Sequence, residues 1–366
     1  MSAHGDTPSA AEADPEIGAT PALPPAFVTG LVEPLFADAG RARSAVALIG
    51  APMALVCAER CRDPALDLKE LRAAAQVEAV SAKPVRARLL AFCAAVDKAG
   101  VPTVAIKGLA TSITLYPRPY QRLLPDVDLL FREDDLAAVT HLLGSWRFVT
   151  LTGAVESRRW GALTEASFAP VAPPDRAFLV DIHCHVDDAP ASRGLTTEAV
   201  FARAGVVETG IGRVRVPAPE HAFCILALHA FRDFYEPRGL KSLFDAALLL
   251  RRHGAEMDWD EVERCARGGR FVKRVVFYRE LLARLGAAEL DAPFAGRRPS
   301  LIERRLLAAV ADNFRRLDTF TMSDRRKLVL EAALLDSPIE SLRWNVERLR
   351  GLIAPRTHAL AGLPEA

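Results

Sequence analysis

The sequence predicts an α+β protein: a small mixed β-sheet core with flanking helices and a mostly helical C-terminal region. Three observations carry that expectation. Apolar residues recur at helical spacing before about residue 100 and after about residue 218. The middle of the chain instead holds short apolar or alternating runs with a period of two. Those runs are separated so that the order reads strand, helix, strand, helix, strand, strand, which is a small α/β unit.

Taken in order, residues 1–25 are rich in Ala, Pro, Gly and acids and have no periodicity, so they are expected to form a disordered tail. Residues 26–100 read as a helical segment. Within it, Pro84–Lys98 places Val85, Leu89, Phe92, Cys93 and Val96 on one stripe. Pro84 suits a first helical turn, where a missing N–H costs little, and Gly100 suits a stop.

Residues 101–217 read as the α/β core. Val101–Ile106 is a strand, Leu109–Tyr116 a helix, and Pro117, Pro119 and Tyr120 a loop. Val127, Leu129 and Phe131 alternate with Asp126, Asp128 and Leu130 as a half-buried strand. Glu133, Asp134 and Asp135 read as helix-start acids ahead of the stripe Leu136, Val139, Leu143. Phe148–Leu151 and Ala177–His183 read as two further strands. Residues 218–350 read as a helical domain, with a helix from Pro219 and others over Lys241–Arg252, Asp260–Gly268, Val272–Leu285 and Ile302–Arg316; 351–366 reads as a loose tail.

Composition removes several function classes. At 366 residues, about two domains are expected. Lys plus Arg total 47 against 46 Asp plus Glu, a net charge of +1, which argues against a broad basic face and a long nucleic-acid partner. No apolar run reaches the ~20 residues of a membrane span, and Pro52 interrupts the longest, Ala45–Ala58. The acidic N-terminus lacks the features of a secretory signal, so a cytoplasmic location is expected. The six cysteines, Cys57, Cys61, Cys93, Cys184, Cys224 and Cys265, form no C-x-x-C pair and read as reduced, mostly buried thiols.

One segment carries chemistry. Residues i and i+2 of a strand share a face, so Asp126 and Asp128 project together. Two such carboxylates repel unless positive charge lies between them, and hard divalent cations take oxygen ligands. Asp181, in the apolar run Phe178–His183, would be costly if unpartnered and is placed to serve as a third carboxylate of a two-metal site. Lys107 and Gly108, at a strand-to-helix turn, offer one charge and backbone N–H groups to phosphates.

This ordered set resembles the nucleotidyltransferase superfamily that includes DNA polymerase beta, and more closely its bacterial branch of uncharacterised nucleotidyltransferases. The resemblance rests on Lys107-Gly108, Tyr116-Pro117, Arg122, Asp126-Val-Asp128-Leu-Leu and Asp181-Ile-His183. It extends through Leu228-His229, Arg232-Asp233, Leu240 to Asp245 and Met257 to Asp260. It implies that Asp126, Asp128 and Asp181 hold Mg2+ or Mn2+, and that an NTP gives its NMP to a hydroxyl of an unknown acceptor, a small molecule or protein. It implies that Lys107, Gly108 and Arg122 grip the phosphates. The Lys107-Gly108 pair stands where the wider superfamily has Gly-Gly or Gly-Ser.

Two alternatives arise from the same residues. The altered Lys-Gly element suits a non-catalytic nucleotide- or partner-binding module. Asp181-Ile-His183-Cys184-His185 also resembles the Asp-x-His-x-His strand of metal-dependent phosphoesterases, because imidazoles at i and i+2 share one face and suit Zn or Mn. Elsewhere, His221 and His229 read as core histidines, Cys184 as a buried thiol, and Lys241 with Asp245 as an i, i+4 ion pair.

Overall fold

The computed structural model describes residues 21–150, 158–159, 162–163, 165–170, 179–210, 212–234, 236–287 and 294–317, with a few positions between 329 and 346. The expected tails therefore fall largely outside the described residues, as does the basic stretch Arg343 to Arg350 apart from Val346. The packed chain begins before the expected boundary at 25, because Leu23 is already buried.

The centre is a five-stranded sheet. Its strands are β1 (Val104–Ile106), β2 (Asp126–Leu130), β3 (Phe148–Thr150), β4 (Glu165–Pro170) and β5 (Leu179–His183), in the order β1-β2-β5-β4-β3. The sheet is mixed. β2 runs antiparallel to β1 and parallel to β5, while β4 is antiparallel to both β5 and β3. Four of the strands lie where the sequence reads them. β4 carries no apolar run and was not expected; its Ser167 and Phe168 pair with Asp181 and Val180. A separate hairpin, β6 (Gly205–Glu208) with β7 (Arg213–Val216), was likewise not expected.

Helices cover both faces. α1 (Ala39–Ile49) and α2 (Ala51–Ala58) break at Gly50, whose φ is 84°, and Pro52 sits in the first turn of α2. α3 (Leu68–Lys98) is one 31-residue helix with Pro84 inside it, not at its start. Proline removes an N–H bond to residue i−4, here Val80. Val80 is 64% exposed and Pro84 is exposed too, so the turn that loses the bond lies on the solvent side and the helix runs on. α4 (Lys107–Thr114) follows β1 directly, and α5 (Leu136–Ser145) follows the acidic turn Glu133–Asp135. The C-terminal region is α6 (Pro219–Asp233), which starts at the expected Pro219, and α7 (Leu240–His253), α8 (Trp259–Gly268), α9 (Val272–Arg284) and α10 (Leu301–Arg315), these four each within two residues of their expected limits.

The period of two divides the sheet. Ala105, Val127, Leu129, Val180 and Ile182 face one way, into an apolar layer with Leu89, Phe92 and Val96 of α3. Ile106, Asp128 and Asp181 are register partners across β1, β2 and β5 and face the other way, towards the C-terminal helices. On that side the N-terminal helices and α6 to α10 share a single core. It includes Phe27, Phe36, Val56, Phe223, Phe244 and Tyr278. The carboxylates therefore sit where a sheet face meets helices.

Candidate active site

A cavity of about 230 Å³ opens between the sheet and helices α6 and α7. All six expected site residues line it: Lys107, Gly108, Arg122, Asp126, Asp128 and Asp181. Their convergence follows from the register. Asp128 pairs with Asp181 across parallel strands, and Ile106, the residue before Lys107, pairs with Asp128 on the other side.

Asp128 is the most tightly held. Its Oδ1 accepts from Lys107 Nζ at 2.6 Å and lies 2.8 Å from His183 Nε2. Burial alone would raise its pKa, but the Lys107 ammonium and the His183 bond hold the carboxyl well below the usual carboxylate range. Asp126 moves the opposite way: burial and then the neighbouring Asp128 charge raise it. The two carboxylates thus differ in basicity although they are two residues apart.

Lys107 reaches Asp128 from a strained turn. Its φ is 50°, in the left-handed region that L-residues rarely adopt. That conformation lets the chain pass from β1 into α4 with no intervening loop. Gly108 is fixed by packing: a Cβ there would lie 3.0 Å from Leu124 Cδ2 and 3.4 Å from Arg122 Nη2.

Arg122 is placed differently from its expected phosphate role. Its Nε lies 2.9 and 3.0 Å from the two Asp245 oxygens and its Nη2 donates to Oδ2 at 2.8 Å, while Nη1 donates to the Leu123 carbonyl at 2.6 Å. The fully buried Asp245 also accepts from Tyr116 Oη at 2.8 Å. The expected Lys241–Asp245 pair is therefore corrected: the Asp245 carboxylate is taken by Arg122 and Tyr116. Lys241 instead lines the cavity, where burial and then Arg122 lower its pKa.

The helices contribute residues that the sequence reading did not place in the site. His229, Asp233, Arg238 and Lys241 line the cavity. His229 is not core; its side chain is 32% exposed and its Nε2 is 3.2 Å from Asp233 Oδ2. The signal available in the sequence was the i, i+4 spacing of His229 with Asp233 and of Lys241 with Asp245, which puts each pair on one helix face.

The chain matches the model of the family described as "Uncharacterised nucleotidyltransferase" over residues 52–286. It belongs to that family. The match spans the N-terminal helices from α2, the sheet and the C-terminal helices through α9. Among solved structures, an antigenic nucleotidyltransferase-like protein from Paracoccidioides brasiliensis is similar at 14% identity, covering 58% of this chain and 96% of that one with a TM-score of 0.35. No protein of curated function matches.

As a family member with an α+β fold, the chain offers two candidate metal donor sets in this region. Asp126, Asp128 and Asp181 are oxygen donors on adjacent strands, which fits Mg2+ or Mn2+, and Asp128 is held ionised. In this structure the Lys107 ammonium supplies the positive charge beside Asp128. Of the alternative set, Asp181, His183 and His185, only Asp181 lines the cavity, and His183 Nε2 lies 2.8 Å from Asp128 Oδ1. The open five-stranded sheet also differs from the barrel of the phosphoesterases that this motif resembles.

Proposed function

We propose that the chain transfers a nucleoside monophosphate from an NTP to a hydroxyl group of an acceptor, within the cavity between the sheet and α6 and α7. The observation that carries this reading is the convergence of Asp126, Asp128, Asp181 and Lys107 on one open cavity that cations from α7 and its preceding turn also line. This arrangement supports the polymerase beta-like reading of the sequence.

The three aspartates would hold Mg2+ or Mn2+, which when bound would offset charge on the α-phosphate and lower the pKa of the attacking hydroxyl. Asp181 takes the hydroxyl proton. The acceptor oxygen forms a bond to the α-phosphorus, the bond from that phosphorus to the bridging oxygen breaks, and pyrophosphate leaves. Lys107, at the N-terminus of α4, and Lys241 neutralise the departing phosphates. Arg122 acts by position: it is clamped to Asp245 and packs over Gly108, which holds the phosphate-facing turn.

The test is incubation of purified protein with each α-labelled NTP, Mg2+ or Mn2+ and cell lysate, beside the Asp126→Ala/Asp128→Ala double variant. Label should move onto a lysate component with wild type and fall by about 10³-fold or more in the variant, the scale of losing preorganised charge at a reacting phosphate. Equal transfer by both proteins would overturn the reading. One observation favours a second reading, a non-catalytic nucleotide-binding module: the Lys107–Asp128 ion pair already neutralises the central carboxylate. That reading is met by calorimetric NTP binding with no transfer in any lysate.

A further inference from the structure

A second polar cluster lies on the far side of α6. At 100° per residue, the α6 positions facing the cavity (Leu226, His229 and Asp233) point roughly 140° away from His221 and Cys224. His221 and Cys224 face Glu261 and Cys265, which share one face of α8. All four are buried. One ligand atom each from His221, Glu261 and Cys265 lies within 4.8 Å of the other two.

The distances suit a small metal polyhedron. His221 Nε2 is 2.9 Å and Cys265 Sγ is 3.7 Å from Glu261 Oε1. For a tetrahedral zinc ion with bonds of roughly 2.0 Å to N or O and 2.3 Å to S, adjacent ligand atoms stand about 3.3 to 3.7 Å apart. His221 Nδ1 is buried with no hydrogen-bond partner.

We propose that His221, Glu261 and Cys265 form a zinc site that staples α6 to α8. Mixed imidazole, carboxylate and thiolate donors on a closed site match zinc better than magnesium. One thiolate and one carboxylate leave the loaded site neutral. Arg264 and Arg203 hold Glu261 in place, with Arg264 Nε 2.7 Å from Oε2 and Nη2 2.6 Å from Oε1, and Arg203 Nη1 3.4 Å from Oε1. The site acts at a distance from the cavity by fixing the helix that carries His229 and Asp233.

The experiment uses the full chain, stripped of metal and kept reduced, titrated with Co2+ and then Zn2+. One equivalent of Co2+ should produce a thiolate-to-cobalt charge-transfer band that Zn2+ removes, and Zn2+ should raise the melting temperature. Cys265→Ser should lose the band, and Glu261→Gln should weaken Co2+ binding at least 10-fold. A missing band at stoichiometric Co2+, or a band unchanged in Cys265→Ser, overturns the site. If Cys265→Ser does not fold, wild type decides: a melting temperature unmoved by Zn2+ overturns it. None of these readouts depends on nucleotide transfer.

Discussion

Tyr116 shows how one buried group can be read from its surroundings. Its hydroxyl is enclosed and donates to Asp245, so burial and then the Asp245 charge raise the phenol well above its ordinary pKa. A group whose folded pKa is raised contributes stability that is complete below the unfolded value and is lost as pH rises through the folded one. The unfolded phenol ionises near pH 10, so wild-type stability should begin to fall there. Tyr116→Phe should fall less steeply above pH 10, by about 1.4 kcal/mol per pH unit. Urea unfolding from pH 8 to 11 checks this, and identical slopes for the two proteins would remove Tyr116 as the cause. Asp126, Asp128 and Asp181 were legible as residues because period-two alternation fixes a face. The partner of Asp128 was not, since no local rule aims Lys107 and His183 at one oxygen.

At the scale of elements, Asp245 ties α7 to the loop before β2. Arg122 grips it with two nitrogens at 2.8 to 3.0 Å, and both side chains are almost enclosed. Removing one partner of such a pair leaves a buried charge uncompensated. Asp245→Ala should therefore cost about 3–5 kcal/mol in chemical denaturation, while the joint replacement Arg122→Met/Asp245→Leu should recover most of that loss. A cost below about 1 kcal/mol for the single variant would mean that water reaches Arg122. The sequence reading paired Asp245 with Lys241 because local spacing is all that a helix displays. A partner 123 positions away in sequence wins because it is a buried bidentate guanidinium. The long α3 was hidden by the same limit. Pro84 reads as a boundary, yet on a water-facing turn the missing bond costs less than the packing of the rest of the helix returns. β4 escaped because its alternation, Ala166 and Phe168 against Glu165 and Ser167, lasts only four residues before Ala169 and Pro170, and its pairing with β5 and β3 completes it.

At the scale of the whole molecule, the sequence divides the chain at about residues 100 and 218, but the core crosses both divisions. Phe27 stacks edge-on against Phe244 of α7 with ring centroids 5.3 Å apart. Gly286, after α9, has a φ of 78°, and a Cβ there would lie 2.1 Å from the Ala26 carbonyl oxygen, so the N-terminal chain rests directly on the C-terminal backbone. α3 then carries the same N-terminal segment beneath the sheet, where Leu89, Phe92 and Val96 complete its second apolar layer. A helical segment that fills a core on each side of the sheet should not unfold apart from either. Two tryptophans report the two sides: Trp146 packs on Phe92 beneath the sheet, and Trp259 packs on Phe223 in the helical core. Urea unfolding followed by fluorescence in Trp146→Phe and in Trp259→Phe, each combined with Trp160→Phe/Trp344→Phe so that one tryptophan remains, beside far-ultraviolet circular dichroism, should give coincident single transitions once each midpoint is corrected for the variant's own stability. Separate transitions would mean that residues 101–217 form an independent cooperative unit. In that case α6 and α7 could leave the sheet without unfolding it, whereas coincidence makes both walls of the cavity parts of one cooperative unit.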